Sequence, residues 1–379
     1  MNAPVDVGAA GHGGLAIVVE IADDRVCSVR VVSTRPTNLA RLFVDRPAEE
    51  APLLAERIFS LCGASHRVVA ARAVASARNG TICVRRSQAQ TVTLIADRLG
   101  GTLRSNMILA LHGGDAMTDI ALIRPLGEIL SLARELGVEA FSSSFASASD
   151  RKTMRSLIRQ ICALGRDHAL CPQREGAPLA PSGDSAFEPL ARALEAGSPL
   201  PFSVPDALGD TDDSAILERV RAGGDAFAAA PSLPGRAPET GAFARCWRET
   251  DFSKGALAAR FEARMIDLAE CFRLLERADK DEPEAGCAVS PSPREGFAVA
   301  ETSRGRLYHW VRLSADDRIA DYQIVAPTEW NFHPAGPFVA ALLGAAVPRE
   351  AAERRIVQLA GLIDPCVPFR VEVKEHVRA

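Results

Sequence analysis

The chain has 379 residues, 47% hydrophobic and 24% charged, with a mean hydropathy of +0.03, which is enough to bury a sizeable core and to form two or three structural regions. A formal net charge of -4, a pI near 6.0 and no basic stripe interleaved with aromatics exclude a general attraction for nucleic acid or an anionic membrane. No apolar run approaches the roughly 20 residues of a spanning helix, Met1 to Gly14 lacks the order of a signal peptide, and nine scattered cysteines make no disulfide framework, so the expectation is a cytoplasmic protein with free thiols.

Leu15 to Val32 alternates apolar and polar residues around Ala22-Asp23-Asp24-Arg25, which predicts two strands joined by a tight acidic turn. Helical spacing follows at Ala48 to Leu61, through Leu53, Leu54, Ile58 and Leu61, and resumes at His66 to Ala77 after a break at Cys62-Gly63. Gln88 to Arg98, Ala116 to Gly137, Arg151 to Leu164 and Gly255 to Arg277 also favour helices. Between Pro172 and Pro238 the composition shifts to Pro, Gly, Ala, Ser and Asp, with short helical patterns at Pro189 to Leu194 and Ser214 to Arg221; this stretch is expected to pack loosely. Asp279 to Glu295, acidic and proline-rich, reads as a surface connection. Leu307 to Pro327 repeats the hairpin design around Asp316-Asp317. The expected organisation is an N-terminal hairpin and helical region over 1–171, a Pro/Gly/Ala-rich connection over 172–238, and a helix, hairpin and C-terminal segment over 239–379.

Two cysteines stand out by setting. Cys62 precedes a predicted helix, whose positive end lowers a thiol pKa and favours the metal-binding thiolate; Cys366 follows Pro365, which restricts the backbone ahead of the sulfur. The competing reading is that each is a small buried hydrophobe. Cys162, His168 and Cys171 have a suggestive spacing but no fourth ligand nearby and read as structural. Cys27, Cys83, Cys246, Cys271 and Cys287 show no partner pattern, and His112-Gly113-Gly114-Asp115 reads as a turn.

A family resemblance rests on the C-terminal third. Glu301-Thr302-Ser303-Arg304-Gly305-Arg306-Leu307-Tyr308-His309-Trp310 is similar to the E-A-P-R-G-x-x-x-H-W segment of nickel–iron hydrogenase large subunits. Ile324-Val325-Ala326-Pro327-Thr328-Glu329-Trp330-Asn331-Phe332 resembles that family's V-x-P-T-x-W-N-F, and Asp364-Pro365-Cys366 its D-P-C-x-x-C. Further upstream, Pro238-Glu239-Thr240-Gly241-Ala242-Phe243-Ala244-Arg245 looks like P-x-E-x-G-P-L-A-R. The resemblance implies an α+β fold, a reduced version of the large subunit with a mainly helical body and terminal β-hairpins that bring Cys62 and Cys366 together.

In that family two C-x-x-C pairs supply four thiolates, soft donors suited to nickel and low-spin iron. Here the first member of each pair survives as Cys62 and Cys366, while Ser65 and Phe369 stand where the bridging sulfurs belong. Glu372 replaces the terminal metal-binding histidine, and His12 aligns with the proton-carrying glutamate. Hydrogen turnover is therefore not expected, nor is nickel. The pattern resembles the HupK and HoxV accessory proteins, which look like shortened large subunits. That resemblance implies a maturation scaffold receiving iron with cyanide and carbonyl ligands from HypC and HypD and passing it to the hydrogenase large subunit precursor. Cys62 and Cys366 would be transient iron ligands, Arg304 a hydrogen-bond donor to cyanide and Asp364 its orienting partner. Arg304 has a structural alternative, an ion pair with Glu301 or Asp364. His309 and Trp310 read as packing residues, and His66 as a helix-start packing residue or a partner for a thiol. The competing functions are a metal-free chaperone that mimics the large subunit and a reduced hydrogenase or redox enzyme.

Overall fold

A computed structural model of the chain describes residues 13–36, 38–79, 84–112, 120–143, 147–171, 185–196, 200–278 and 288–375. The expectations placed on His12, Cys83, residues 113–115 and Cys287 lie outside them.

The first hairpin is β1 (Leu15–Ala22) and β2 (Arg25–Ser33). Its two turn residues, Asp23 and Asp24, both have positive φ, 49° and 54°. That is the backbone whose twist matches antiparallel strands, and Asp tolerates it through its short polar side chain. Helices follow as α1 (Ala51–Ile58), α2 (Gly63–Ala77), α3 (Val84–His112), α4 (Ile120–Ser143), α5 (Ala148–Asp167), α6 (Glu188–Glu195), α7 (Asp213–Ala229), α8 (Ala242–Cys246) and α9 (Ala256–Ala278). The C-terminal part holds β3 (Ala288–Val289), β4 (Glu295–Thr302), β5 (Gly305–Leu313), β6 (Ile319–Val325), α10 (Pro327–Asn331), α11 (Pro337–Leu342), α12 (Arg349–Ile363) and β7 (Phe369–Glu375).

Two sheets organise the molecule. β3-β4-β5-β6 is antiparallel throughout. The other has the order β2-β1-β7, with β7 parallel to β1 and Leu15 opposite Phe369, so the first strand pairs with the last and both chain ends meet in one sheet. The central strand β1 is buried along Leu15 to Val19 because it is covered on both faces and both edges. The main core joins α3, α4, α5, α9 and α12 through residues such as Leu99, Leu126, Ile161, Phe272 and Leu359. A second core packs α2 on the β4–β5 sheet through Val68, Ala73, Ala298, Leu307 and Val311. That approach depends on Gly296, where a Cβ would lie 1.9 Å from the Ala73 carbonyl oxygen.

Both expected hairpins are present, and α1, α2, α5, α6, α7 and α9 fall on the predicted helical segments. Three features differ. Helices α3 and α4 run beyond the predicted Gln88–Arg98 and Ala116–Gly137. Strands β4 and β7 extend the sheets past the two hairpins. The stretch expected to be loose supplies Phe187, Leu190 and Leu194 to the main core, and Ile216 and Val220 to a third cluster with Trp310 and Trp330. Several of its apolar residues are turned inward, which an average over composition hides, although Val204 stays exposed. Among the described residues no helix is long and apolar enough to cross a membrane.

Candidate functional site

Cys62 is the residue just before the first turn of α2, with a non-helical φ of -139°, and its carbonyl accepts the His66 amide at 3.1 Å. Gly63 is required because α1 passes so close that a Cβ would sit 2.7 Å from the Glu56 carbonyl oxygen. The N-terminus of α2 is capped from α3, since the Ser65 amide and hydroxyl both donate to Asp97 Oδ2, at 3.1 and 2.5 Å. Asp97, Gly101 and Ser105 follow each other by one turn of α3 and form one face toward the site. Gly101 admits Ser303, whose Oγ would be 2.4 Å from a Cβ there, and the Ser105 hydroxyl donates to Asp364 Oδ2 at 2.6 Å.

Ser303 belongs to the β4–β5 turn, which carries Arg304. The Thr302 hydroxyl donates to the Gly305 carbonyl (2.8 Å) and accepts the Arg304 amide (3.3 Å). Gly241, at φ 112°, packs its Cα against the Arg304 carbonyl, where a Cβ would be 2.9 Å away. Thr240 accepts the Arg306 amide (2.8 Å) and is clamped by Asn331, which accepts its amide (3.0 Å) and donates to its carbonyl (2.9 Å). The Pro238–Arg245, Glu301–Trp310 and Ile324–Phe332 motifs therefore interlock around one turn. Behind it Asp267, fully buried, binds Arg98 and Arg245, and Arg245 also donates to the Thr302 carbonyl (3.3 Å). The two guanidinium groups hold the Asp267 carboxyl well below the ordinary carboxylate range despite its burial.

The third component comes from the end of α12. Asp364 caps it in the left-handed region, φ 62°, with its amide donating to the Ala360 carbonyl at 2.8 Å. Two residues on, Cys366 is held by Thr328, which accepts its amide at 3.2 Å and donates its hydroxyl to the sulfur at 3.3 Å. Arg304 is 6% exposed and lies against Asp364, with Nε 3.2 Å from Oδ2 and Nη2 3.4 Å from Oδ1. Its Nη1 and Nε are buried without a hydrogen-bond partner among the described residues, Nε having only the ion-pair contact. Of the two ion pairs open to Arg304 in the sequence, the partner is Asp364; Glu301 binds Arg245 and Arg306.

Cys366, Arg304, Asp97 and Arg35 lie near enough to Cys62 to act on its thiol electrostatically, and Arg304 feels both sulfurs. The thiol of Cys62 is pushed up, first by burial and then by Cys366, while Arg304 and Arg35 oppose the rise. This corrects the expectation of a thiol acidified by a helix start: desolvation outweighs the partial charge of the helix end, and the Asp97 carboxylate already occupies that end. Both cysteines are only partly covered, unlike Cys162, Cys171, Cys246 and Cys271, which are buried.

The remaining residues aligned with the metal centre serve other ends. The Ser65 hydroxyl is spent on Asp97. Phe369 starts β7 and packs on the main core. Glu372 is exposed and pairs with Lys374 at 3.2 Å. Among the described residues no group of three His, Cys, Asp or Glu side chains converges as a metal site, including the Cys162–His168–Cys171 set. Two thiols and a guanidinium do not complete a bare metal ion's coordination. They do fit an iron that brings its own small ligands, one of which accepts a hydrogen bond.

Several contacts at the site escaped the sequence reading. His66 Nδ1 lies 3.0 Å from His309 Nε2, and His309 Nδ1 2.7 Å from the Tyr322 hydroxyl, while Phe59 stacks on His66 at 3.7 Å. Arg35 is ion-paired with Glu329, the neighbour of Thr328. Thr328 lay in a quoted motif, and the four-residue spacing of Asp97, Gly101 and Ser105 was visible once α3 is extended past Arg98. The Arg35–Glu329 pair and the His66–His309 contact leave no local signal.

Comparison with known proteins agrees with the fold and the motifs. The Nickel-dependent hydrogenase family matches residues 253–371. The hydrogenase expression/formation protein HupK of Rhizobium leguminosarum bv. viciae is 35% identical over 97% of this chain and 99% of its own. HoxV of Cupriavidus necator, also a hydrogenase expression/formation protein, is 30% identical over 92% and 93%. The uptake hydrogenase large subunit of Rhodobacter capsulatus is 36% identical over 89 residues, 22% of this chain and 15% of its own. Among solved structures, an NAD+-reducing [NiFe]-hydrogenase superposes with a TM-score of 0.60 at 18% identity, covering 92% of this chain and 96% of that one. The Ni-Fe-Se hydrogenase of D. vulgaris Hildenborough gives 0.59 at 15% identity, covering 92% and 95%. On the strength of the near-full-length relatives, the chain belongs to the HupK and HoxV family of hydrogenase expression/formation proteins, built on the fold of the nickel–iron hydrogenase large subunit.

Proposed function

We propose that this protein is a non-catalytic accessory in hydrogenase formation that holds an iron fragment with cyanide and carbonyl ligands as cargo between Cys62 and Cys366. The observation that carries the reading is the buried Nη1 of Arg304, without a hydrogen-bond partner among the described residues, on a guanidinium close enough to Cys62 and Cys366 to feel both sulfurs. A buried guanidinium N–H without an acceptor is costly, and a cyanide nitrogen at that point satisfies it. Asp364 orients the guanidinium, and Ser105 and Arg264 orient Asp364 in turn. Thr328 aims the Cys366 sulfur. Loading replaces each S–H proton by an Fe–S bond, and the two protons leave to solvent or to the donor protein.

Two thiolates hold the fragment while leaving it free to move on, since Ser65 and Phe369 cannot close a four-sulfur cage. The donors in this reading are the HypC and HypD maturation proteins, and the acceptor is the hydrogenase large subunit precursor. The likeness to large subunits over most of the chain supports a second reading, a metal-free mimic that occupies a maturation partner. Infrared spectra of the protein isolated with its maturation partners separate the two. The carrier shows cyanide and carbonyl bands that disappear in Cys62→Ala and Cys366→Ala; persistence of the bands in both variants removes the ligand assignment, and their absence from the parent protein leaves the mimic. Stoichiometric nickel in the purified protein would instead support a redox enzyme.

A further inference from the structure

A narrow pocket of about 80 Å³ lies where the ends of β2 and α7 meet β6 and α10. Its wall includes Phe59, whose carbonyl accepts the Cys62 amide at 3.2 Å and whose ring stacks on His66, so the pocket backs onto the loop that carries Cys62. Small side chains keep it open. Ala228 and Ala229 reach it because α7 breaks at Gly224, where φ is 49° and ψ -132°. The redirected chain is pinned by Asp225, which accepts from Arg41 Nε at 2.9 Å and from Gln323 Nε2 at 3.1 Å.

The polar groups of the wall define what fits. Arg35 and Glu329 form an ion pair through one atom of each, Nη1 and Oε1, and are 12% and 22% exposed. Their charges cancel, so a free ion of either sign would have to break the pair to bind. The pair is otherwise unused. Among the described residues neither side chain makes another hydrogen bond, and none of their remaining nitrogen and oxygen atoms is sealed from solvent. A salt bridge made through single atoms leaves a donor and an acceptor side by side on its open edge. A primary amide, with its carbonyl oxygen and N–H adjacent, is the complement of that edge. Gln323, also in the wall, is buried, and its Oε1 has no hydrogen-bond partner among the described residues, which leaves an acceptor for a second N–H.

We infer that this pocket is a binding site for a small neutral amide of the acetamide or urea class. The ligand's carbonyl oxygen accepts from Arg35, and its N–H groups donate to Glu329 and Gln323. The volume admits on the order of four non-hydrogen atoms, which excludes a nucleotide or a peptide. The inference goes beyond the carrier reading and stands without it.

The test is saturation-transfer NMR on the full, iron-free chain with acetamide, and with acetate and methylammonium as the anionic and cationic counterparts. Saturable binding of acetamide alone is expected, in the millimolar range for so few atoms. Ala229→Leu, which fills the pocket, should weaken it about fivefold or more. Glu329→Met leaves the Arg35 charge uncancelled, so this variant should lose acetamide and gain acetate. That gain is a signal a misfolded protein does not produce, and it decides the matter if Ala229→Leu melts early. No acetamide binding by the parent chain, equal binding of all three probes, binding indifferent to a folded Ala229→Leu, or no change of preference in Glu329→Met overturns the assignment. Because the assay uses no iron, missing infrared bands sink the carrier reading without touching this result, and failed acetamide binding leaves the bands intact.

Discussion

The His66–His309–Tyr322 chain makes stability depend on pH in a calculable way. Both rings are buried, and burial holds His309 down to about 3 from an ordinary 6.5, with His66 also well below it. The folded protein therefore keeps His309 neutral where the unfolded chain binds a proton. The associated stability is whole above pH 6.5 and is lost as pH falls toward about 3. At about 1.4 kcal/mol per proton per pH unit, His309 alone removes about 2 kcal/mol of stability between pH 7 and pH 5. The perturbation is His309→Gln, which keeps a polar side chain beside His66 and Tyr322 but does not titrate. Urea unfolding of both proteins at pH 7, 6 and 5 reads the effect. The stability difference between parent and variant should shrink by about 2 kcal/mol across that interval. A difference that is the same at pH 7 and pH 5 would refute the claim that burial keeps this ring neutral.

Asp267→Asn leaves Arg98 and Arg245 buried without their shared carboxylate; unfolding experiments should show a loss of about 3–5 kcal/mol, with faster amide exchange in the Thr302–Gly305 turn that Arg245 supports. Gly296→Ala puts a Cβ 1.9 Å from the Ala73 carbonyl oxygen and forces α2 off β4; about 3 kcal/mol should be lost in the same assay, and an unchanged midpoint would contradict that close approach. Thr328→Val removes the hydroxyl that both orients and covers Cys366, so Cys366 should alkylate faster with iodoacetamide and stability should fall by about 1 kcal/mol. In cargo-loaded protein, Arg304→Lys keeps the charge but loses the planar donor, and should shift the cyanide bands more than the carbonyl band.

How much of this was legible follows from the range of each interaction. The Leu15 and Leu307 hairpins, the break at Cys62-Gly63 and the helical segments were readable because strand alternation, turn residues and helical spacing are local patterns. The motifs named Arg304, Asp364, Cys62 and Cys366; in the structure Arg304 pairs with Asp364, and Arg304 and Cys366 both act on the Cys62 thiol. Strand β7 was not readable: Phe369 to Glu375 is a partly exposed strand whose partner among the described residues, β1, lies far away in sequence. Asp97 capping α2, the histidine pair and the Arg35–Glu329 pair likewise depend on how whole elements dock. Cys62 shows the division most clearly. Sequence by itself determined that a thiol stands at the start of a helix, which argues for an acidic sulfur. Tertiary structure alone decided that packing strips water from that thiol and sets Cys366 beside it, and losing solvation costs a thiolate more than a helix end returns.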